Sequence, residues 1–381
     1  MKAKGLPLLT GVALCLSLCG AGCPSDGGEP TAPSAASETP PQGAIDEYIR
    51  REMDVQHIPG LSLAVVRAGK LVAAKGYGKA SVELDAPATP ATMYALASVS
   101  KQFTAAAILL LVQDGKIGLN DPLTNYFSWA PKEWSEVRVR HLLTHTSGIR
   151  EEVHKGDFLE WERQEHNQEE VVRSAFGPLL ARPGEQFRYS NTGYRVLGML
   201  IEKASGQSYW DFLEHRIFRP LGMAATRNSD PETVIPNRAR GYGVSDGRLI
   251  NRDPVTASSA FAQGALMSSV LDLAKWDAAL NSEVLFKQSS LQEMWAPVRL
   301  NDGTTSNYGF GWFLKPVNHH TAVAHGGDMP GFTAFIWRFL DDQLTVVVLS
   351  NCDSANTARI GLGVAGLYVP ALLSPEVKRQ L

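Results

Sequence analysis

The sequence predicts a mixed α/β (α+β) fold: an antiparallel sheet built from both chain ends and flanked by helices, with a mainly helical domain inserted at about 120–240. Three observations predict it. Strand-like runs lie near both ends of the folded part, helical periodicities fill the middle, and an apolar helix without breakers follows Ser98. The 381 residues suffice for a full core in one domain or two. A composition of 44% hydrophobic and 20% charged residues with net charge -3 is that of an ordinary globular chain and gives no reason to expect nucleic acid as a partner.

Lys2 and Lys4 precede an apolar stretch from Leu6 to Leu18 and the small-residue sequence Gly20-Ala21-Gly22-Cys23. Residues 1–22 therefore read as a secretory signal peptide, too short and too rich in small residues for a membrane anchor. Cys23 is placed as in a lipoprotein signal, so it is expected to carry the lipid and become the mature N-terminus, although Gly20 stands where leucine is usual. Residues 23–42 contain no large apolar side chain and read as a flexible linker. The expected location is the periplasm or cell envelope. The cysteines at 15, 19, 23 and 352 leave no disulfide framework, and Cys352 reads as a buried or idle thiol.

The folded part is expected over 43–381. Ile45, Tyr48, Ile49 and Met53 recur at helical spacing, predicting a helix over 43–56. Leu61–Arg67 and Leu71–Tyr77 read as a hairpin turning at Ala68-Gly69-Lys70. The run from Ser98 to Gly115 reads as one buried helix, with Ser98 at its N-terminal end and Gly115 as its stop. Further helices are expected at 138–144, 168–177, 192–204 and 208–218. Tyr308–Pro316, Thr321–His325, Phe332–Phe339 and Leu344–Leu349 read as strands, and a last helix is expected at about 356–370.

Three short patterns carry chemistry. In Ser98-Val99-Ser100-Lys101, a serine and a lysine three apart on a helix share a face, so a partly neutral amine can take the hydroxyl proton. Tyr189-Ser190-Asn191 precedes a helix and reads either as a plain N-cap or as a site. In the second reading Tyr189 shuttles a proton and Asn191 binds the lysine and a substrate carbonyl. His325-Gly326-Gly327-Asp328 ends a strand and reads either as a turn approach or as an edge along which an acyl group lies. The amide just past the glycines would then complete an oxyanion hole with the Ser98 amide.

In this order, and with Leu142-Leu143-Thr144-His145-Thr146-Ser147-Gly148, Pro220-Leu221-Gly222-Met223, Tyr308-Gly309-Phe310-Gly311-Trp312 and Leu349-Ser350-Asn351, the chain resembles the class C β-lactamase family in its broad sense. That family includes D-aminopeptidases, D,D-carboxypeptidases and family VIII esterases. The resemblance runs over about 45–370 and implies a β-lactamase/transpeptidase-like fold. It also implies acyl transfer: Ser98 as nucleophile, Lys101 and Tyr189 handling protons, the Ser98 and Asp328 amides holding the oxyanion, and no metal or nucleotide. His325 departs from the Lys-Thr-Gly motif of true class C β-lactamases. Histidine near neutral pH is mostly uncharged, so an esterase or D-amino-acid peptidase is expected before a β-lactamase or D,D-carboxypeptidase. The expected partners are small ester, amide or D-amino-acid peptide substrates, with membrane association through the lipid.

Two rival readings use the same residues. A penicillin- or peptidoglycan-binding protein would acylate without turnover, and a structural lipoprotein would not react at all. His141 and His145 lie four apart, but no HExxH pattern or acidic third ligand joins them, so the stretch reads as a structural turn. Glu151, Glu152, Glu160, Glu162, Glu165, Glu169 and Glu170 read as a solvated helical face, with Trp161 and its neighbours as a possible border of the cleft.

Overall fold

The computed structural model describes Pro40 and residues 42–375 except 155. The expected signal peptide, nearly all of the expected linker and Cys23 lie outside the described residues.

Helix α1 (Gln42–Gln56) leads into the antiparallel strands β1 (Gly60–Arg67) and β2 (Lys70–Ser81), with β3 (Ala86–Pro87) beside them. Strand β4 (Tyr94–Ala95) and a 3-10 turn over Ala97–Ser100 precede α2 (Lys101–Gln113). The middle holds α3 (Val139–Leu143), α4 (Phe158–Glu162), α5 (Gln168–Ser174), α6 (Asn191–Ser205) and α7 (Tyr209–Leu213). Next come β5 (Arg227–Asn228), the pair β6 (Tyr242–Ser245) and β7 (Arg248–Asn251), α8 (Ala257–Gly264), β8 (Leu266–Ser268), α9 (Val270–Leu280) and α10 (Gln288–Met294). The last part is β9 (Val298–Arg299), β10 (Thr305–Ser306), β11 (Phe313–Leu314), β12 (Ala322–Met329), β13 (Phe332–Phe339), β14 (Leu344–Ser350) and α11 (Thr357–Tyr368).

The main sheet has the order β11-β12-β13-β14-β1-β2-β3. Its centre is the antiparallel pairing of β14 with β1, running from Leu61 opposite Ser350 to Arg67 opposite Leu344, so the sheet is built from both chain ends as expected. Alternation assigns each strand residue to one of two cores. Leu61, Leu63 and Val65 meet Val346, Val348 and the inner faces of α1 and α11, where Ile45, Tyr48, Ile49 and Met53 are buried. Ala64, Val347 and Leu349 face the larger core of α2, α6, α7 and α9. Because both sheet faces are covered, β1 and β14 are apolar almost throughout instead of alternating.

Four expectations need correction. The run from Ser98 to Gly115 is not one helix: Ala97–Ser100 forms a 3-10 turn and α2 begins at Lys101, although Gly115 does stop it with a φ of 70°. Only Phe313–Leu314 of the expected 308–316 strand pairs with β12, because a turn from Gly309 N to Trp312 O (2.8 Å) interrupts it. There Gly311, at φ 77°, lies against α2, where a Cβ would stand 2.8 Å from the Lys101 carbonyl. Strand β12 runs through Gly326 and Gly327 to Met329 instead of ending at His325. Helices also continue beyond the 120–240 stretch to Met294, opened by Thr256 and Ser269 as N-caps for α8 and α9.

A buried ion pair ties α9 to the sheet. Asp277 Oδ1 accepts from Arg338 Nε and Thr345 Oγ1, each at 2.6 Å, and both charged side chains are almost fully buried. Asp277→Ala strands the Arg338 charge, so the folded state should lose about 3–5 kcal/mol. Urea unfolding will show this as a lower midpoint at an unchanged slope.

Candidate active site

Ser98 sits in the turn that opens α2, with Lys101 on the first position of the helix. The preceding residue, Ala97, has a φ of 46°, a left-handed conformation that turns the chain sharply into the helix. Strand β12 passes close against this turn. A Cβ on Gly327 would stand 2.1 Å from the Leu96 carbonyl and 3.0 Å from the Ser98 nitrogen, so only glycine lets the strand approach.

That approach brings the amides expected to form an oxyanion hole near one another. The Ser98 N–H is among the first of its helix and has no intrahelical acceptor. On β12, the Ala322 carbonyl accepts from Lys315 N of the β11 side, and alternate residues face the same edge. Ala324, Gly326 and Asp328 therefore face that edge too, but β11 pairs only as far as Ala324. The Asp328 amide is left on an open edge, where Gly326 and Asp328 line a cleft of about 580 Å³ with Ser98 and Tyr189. The structure thus brings the expected pair of amides to the same cleft.

Lys101 is fully buried, and its Nζ contacts Ser98 Oγ at 3.1 Å, Asn191 Oδ1 at 2.9 Å and the Gln263 carbonyl at 2.9 Å. Burial pulls its pKa down to about 7; Glu151 and Glu152 oppose that shift and Arg195 adds to it. A neutral amine has two N–H groups and one lone pair. Asn191 Oδ1 and the Gln263 carbonyl accept the two N–H groups, which leaves the lone pair for the Ser98 hydroxyl proton. Tyr189 hydrogen-bonds Ser98 and its ring centre is 4.9 Å from Lys101 Nζ. Burial raises the Tyr189 pKa and keeps the phenol protonated, as a donor.

Asn191 is aimed by the start of α6. Ser190 is a true N-cap, its Oγ accepting from Gly193 N at 3.0 Å, so the capping and site readings of this motif hold together. The Ser190 amide donates to His145 Nδ1 at 3.0 Å, and the Glu151 carboxylate accepts the Asn191 and Thr192 amides. His141 Nδ1 accepts the Arg138 amide in the cap of α3. Both histidines of that stretch therefore spend a ring nitrogen on backbone geometry.

His325 is buried, with Nδ1 2.6 Å from the Gly326 carbonyl and Nε2 3.0 Å from the Tyr308 hydroxyl. A carbonyl only accepts, so Nδ1 carries the proton and Nε2 accepts from Tyr308. Burial, with Lys101 nearby, lowers its pKa to about 3. It is a neutral ring with both nitrogens occupied.

The acidic stretch is only partly a solvated face. Glu152 is buried and pairs with Arg195 at 3.2 Å, and Glu151 caps α6. Glu162 is half-buried, its carboxyl pushed up to about 7 by burial, and it lines a neighbouring cavity with Leu159 and Asp328. Glu160, Glu165 and Glu170 are exposed, as expected. Sequence reasoning missed the Gln263 carbonyl, because a backbone acceptor leaves no mark in residue type. It also missed Arg195, whose signal was a charge set between Tyr194 and Val196 on an apolar helix.

The family model described as Beta-lactamase matches residues 45–366. The chain belongs to the beta-lactamase family. It is 32% identical over 308 residues to penicillin-binding protein 4* of Bacillus subtilis, covering 76% of this chain and 67% of that protein. The chain spans about two thirds of the length of the curated relatives it matches, 64% to 67% in the first of them. Among solved structures it resembles the octameric penicillin-binding protein homologue from Pyrococcus abyssi (31% identity, TM-score 0.77, 86% of this chain and 77% of that one). It also resembles the D-amino acid amidase from Ochrobactrum anthropi SV3 complexed with L-phenylalanine amide (28% identity, TM-score 0.71, 88% of this chain and 99% of that one). The expected β-lactamase/transpeptidase-like fold is borne out.

The Lys101 geometry predicts how Ser98 reactivity depends on pH. The competent form is the neutral amine, so reactivity is low below the lysine pKa and rises through it. The rate of Ser98 labelling by a fluorophosphonate, followed from about pH 5 to about pH 9, should climb with a midpoint near 7 and then level off. A rate that follows hydroxide throughout would remove Lys101 as the base.

Proposed function

We propose that this chain is a serine hydrolase that acts through an acyl-enzyme on ester or amide bonds, of the esterase or D-amino-acid peptidase type. One observation carries the reading: a buried lysine amine, its two N–H groups committed to Asn191 and Gln263, stands 3.1 Å from the Ser98 hydroxyl. Lys101 takes the Ser98 proton as Oγ attacks the substrate carbonyl, and the Ser98 and Asp328 amides stabilise the resulting oxyanion. Tyr189, a protonated phenol beside both, relays a proton to the leaving group. Water then releases the acyl group by the reverse proton path. The neutral His325 supports esters and amides over β-lactams, because it offers no charge to a β-lactam carboxylate.

Turnover separates this reading from a penicillin-binding receptor. Short-chain p-nitrophenyl esters should be hydrolysed for many cycles, and Ser98→Ala should lower kcat by about 10³-fold or more. Release of one equivalent only would favour the receptor, and unchanged release by Ser98→Ala would exclude Ser98 as nucleophile. In a panel with D-alanyl peptides and nitrocefin, nitrocefin should be the poorest substrate.

We also propose that the protein is exported and held at the cell envelope by lipid on Cys23, a reading supported by the signal-like residues 1–22. Cys23→Ser should move it from the membrane fraction to the soluble fraction without changing its specific activity. A wild-type protein found entirely in the soluble fraction would overturn the anchor.

A further inference from the structure

Two neighbouring carboxylates meet the start of α6, and the fold uses them differently. Glu152 is buried and shares its charge with Arg195 at 3.2 Å. Glu151 is exposed and has no cation partner among the described residues. Its Oε2 accepts the Asn191 amide at 2.9 Å and the Thr192 amide at 3.3 Å, which lie in the first turn of α6 and have no intrahelical acceptor. The side chain of the same Asn191 accepts from Lys101 Nζ at 2.9 Å. A single residue thus joins the lysine to Glu151: the carboxylate holds its amide, and its Oδ1 lies against the amine.

Charge follows the same route. The free N–H groups give the start of this 15-residue helix a partial positive charge, which disfavours an ammonium beside it. A carboxylate seated on those groups offsets it. The other groups around Lys101 leave that role to Glu151. Arg195 and Glu152 oppose each other as an ion pair. His145 and His325 are buried and held neutral. Tyr189 and Tyr194 are protonated phenols whose ring centres stand 4.9 and 5.5 Å from Nζ. Ser98 and the Gln263 carbonyl bring no charge.

We propose that Glu151 is a positioning residue for the reaction at Ser98: it acts through Asn191, clamping the start of α6 against Lys101 and supplying the negative charge that keeps the lysine a strong base. Without that charge the ammonium is less stable, so the amine becomes neutral at lower pH but takes the Ser98 proton less readily. This deepens the serine hydrolase reading and rests on it for Lys101 as the base.

The test follows the rate of Ser98 labelling by a fluorophosphonate in the full chain, from about pH 5 to about pH 9 at low salt. Glu151→Gln keeps an acceptor for both amides and loses only the charge. Its midpoint should lie about half a pH unit below that of the wild type, so that relative to its own plateau it labels roughly threefold faster at about pH 5.5. The shift should shrink as ionic strength rises, because Glu151 is exposed. Glu151→Ala loses the clamp as well, and should combine the lower midpoint with a plateau about fivefold below that of Glu151→Gln. Glu151→Asp restores the charge and should return the midpoint toward the wild-type value. The exposed position lets all three variants stay folded. A plain helix cap would change the plateau alone. A Glu151→Gln midpoint equal to or above the wild type's therefore overturns the inference, as does a Glu151→Asp midpoint no higher than that of Glu151→Gln, or a Glu151→Ala plateau no lower than that of Glu151→Gln. A wild-type rate that follows hydroxide throughout also overturns it, by removing the base. The hydrolase reading fails separately, if p-nitrophenyl esters show no Ser98-dependent turnover.

Discussion

The site depends on one buried amine and the acceptors around it. Lys101 is fully buried, so its protonation is set by what the fold places against it. Those partners come from separate elements: Ser98 from the turn before α2, Asn191 from the start of α6, and the Gln263 carbonyl from α8. Packing these three elements to within a few tenths of an ångström is therefore a chemical requirement as well as a structural one.

Arg195 shows how that packing is achieved. It lies on α6, one turn beyond Asn191, and is fully buried. Its guanidinium donates to the Ser258 and Ser259 carbonyls at 3.0 and 2.5 Å, and pairs with Glu152. The same segment contains Phe261 at φ 33°, a conformation costly for a side chain of that size. Gly198 makes room for its ring, since a Cβ there would stand 2.6 Å from a Phe261 ring atom. Helix α6 thus supplies Asn191 to the lysine directly and holds in place the segment that supplies the Gln263 carbonyl.

Much of this was legible in the sequence wherever a property belongs to a residue type. The spacing of Ile45, Tyr48, Ile49 and Met53 predicted the buried face of α1. The apolar runs at both ends predicted the central strands. Ser98, Lys101 and Tyr189 stood in patterns whose chemistry needs those side chains, and the structure brings them together. What stayed hidden is what the backbone does. Gly326 and Gly327 looked like a strand end, yet continue the strand because they let it slide against Leu96 and Ser98. The stretch from Tyr308 looked like a strand, but Gly311 turns it onto the start of α2. Glu152 looked solvated because its partner, Arg195, lies about forty residues away.

The pairing of β14 with β1 also governs the order in which the molecule can form. Ser350 Oγ reaches the Gly60 carbonyl across 290 residues of chain, so the centre of the sheet cannot close until nearly the whole polypeptide is available. Contacts so distant in sequence slow folding, because a long loop must close before they return any stability. If residues 1–22 act as the proposed export signal, this delay is useful. A polypeptide that cannot complete its sheet while still being synthesised stays threadable, and Ser98 meets Lys101 and Asn191 only once the strands from both chain ends have joined.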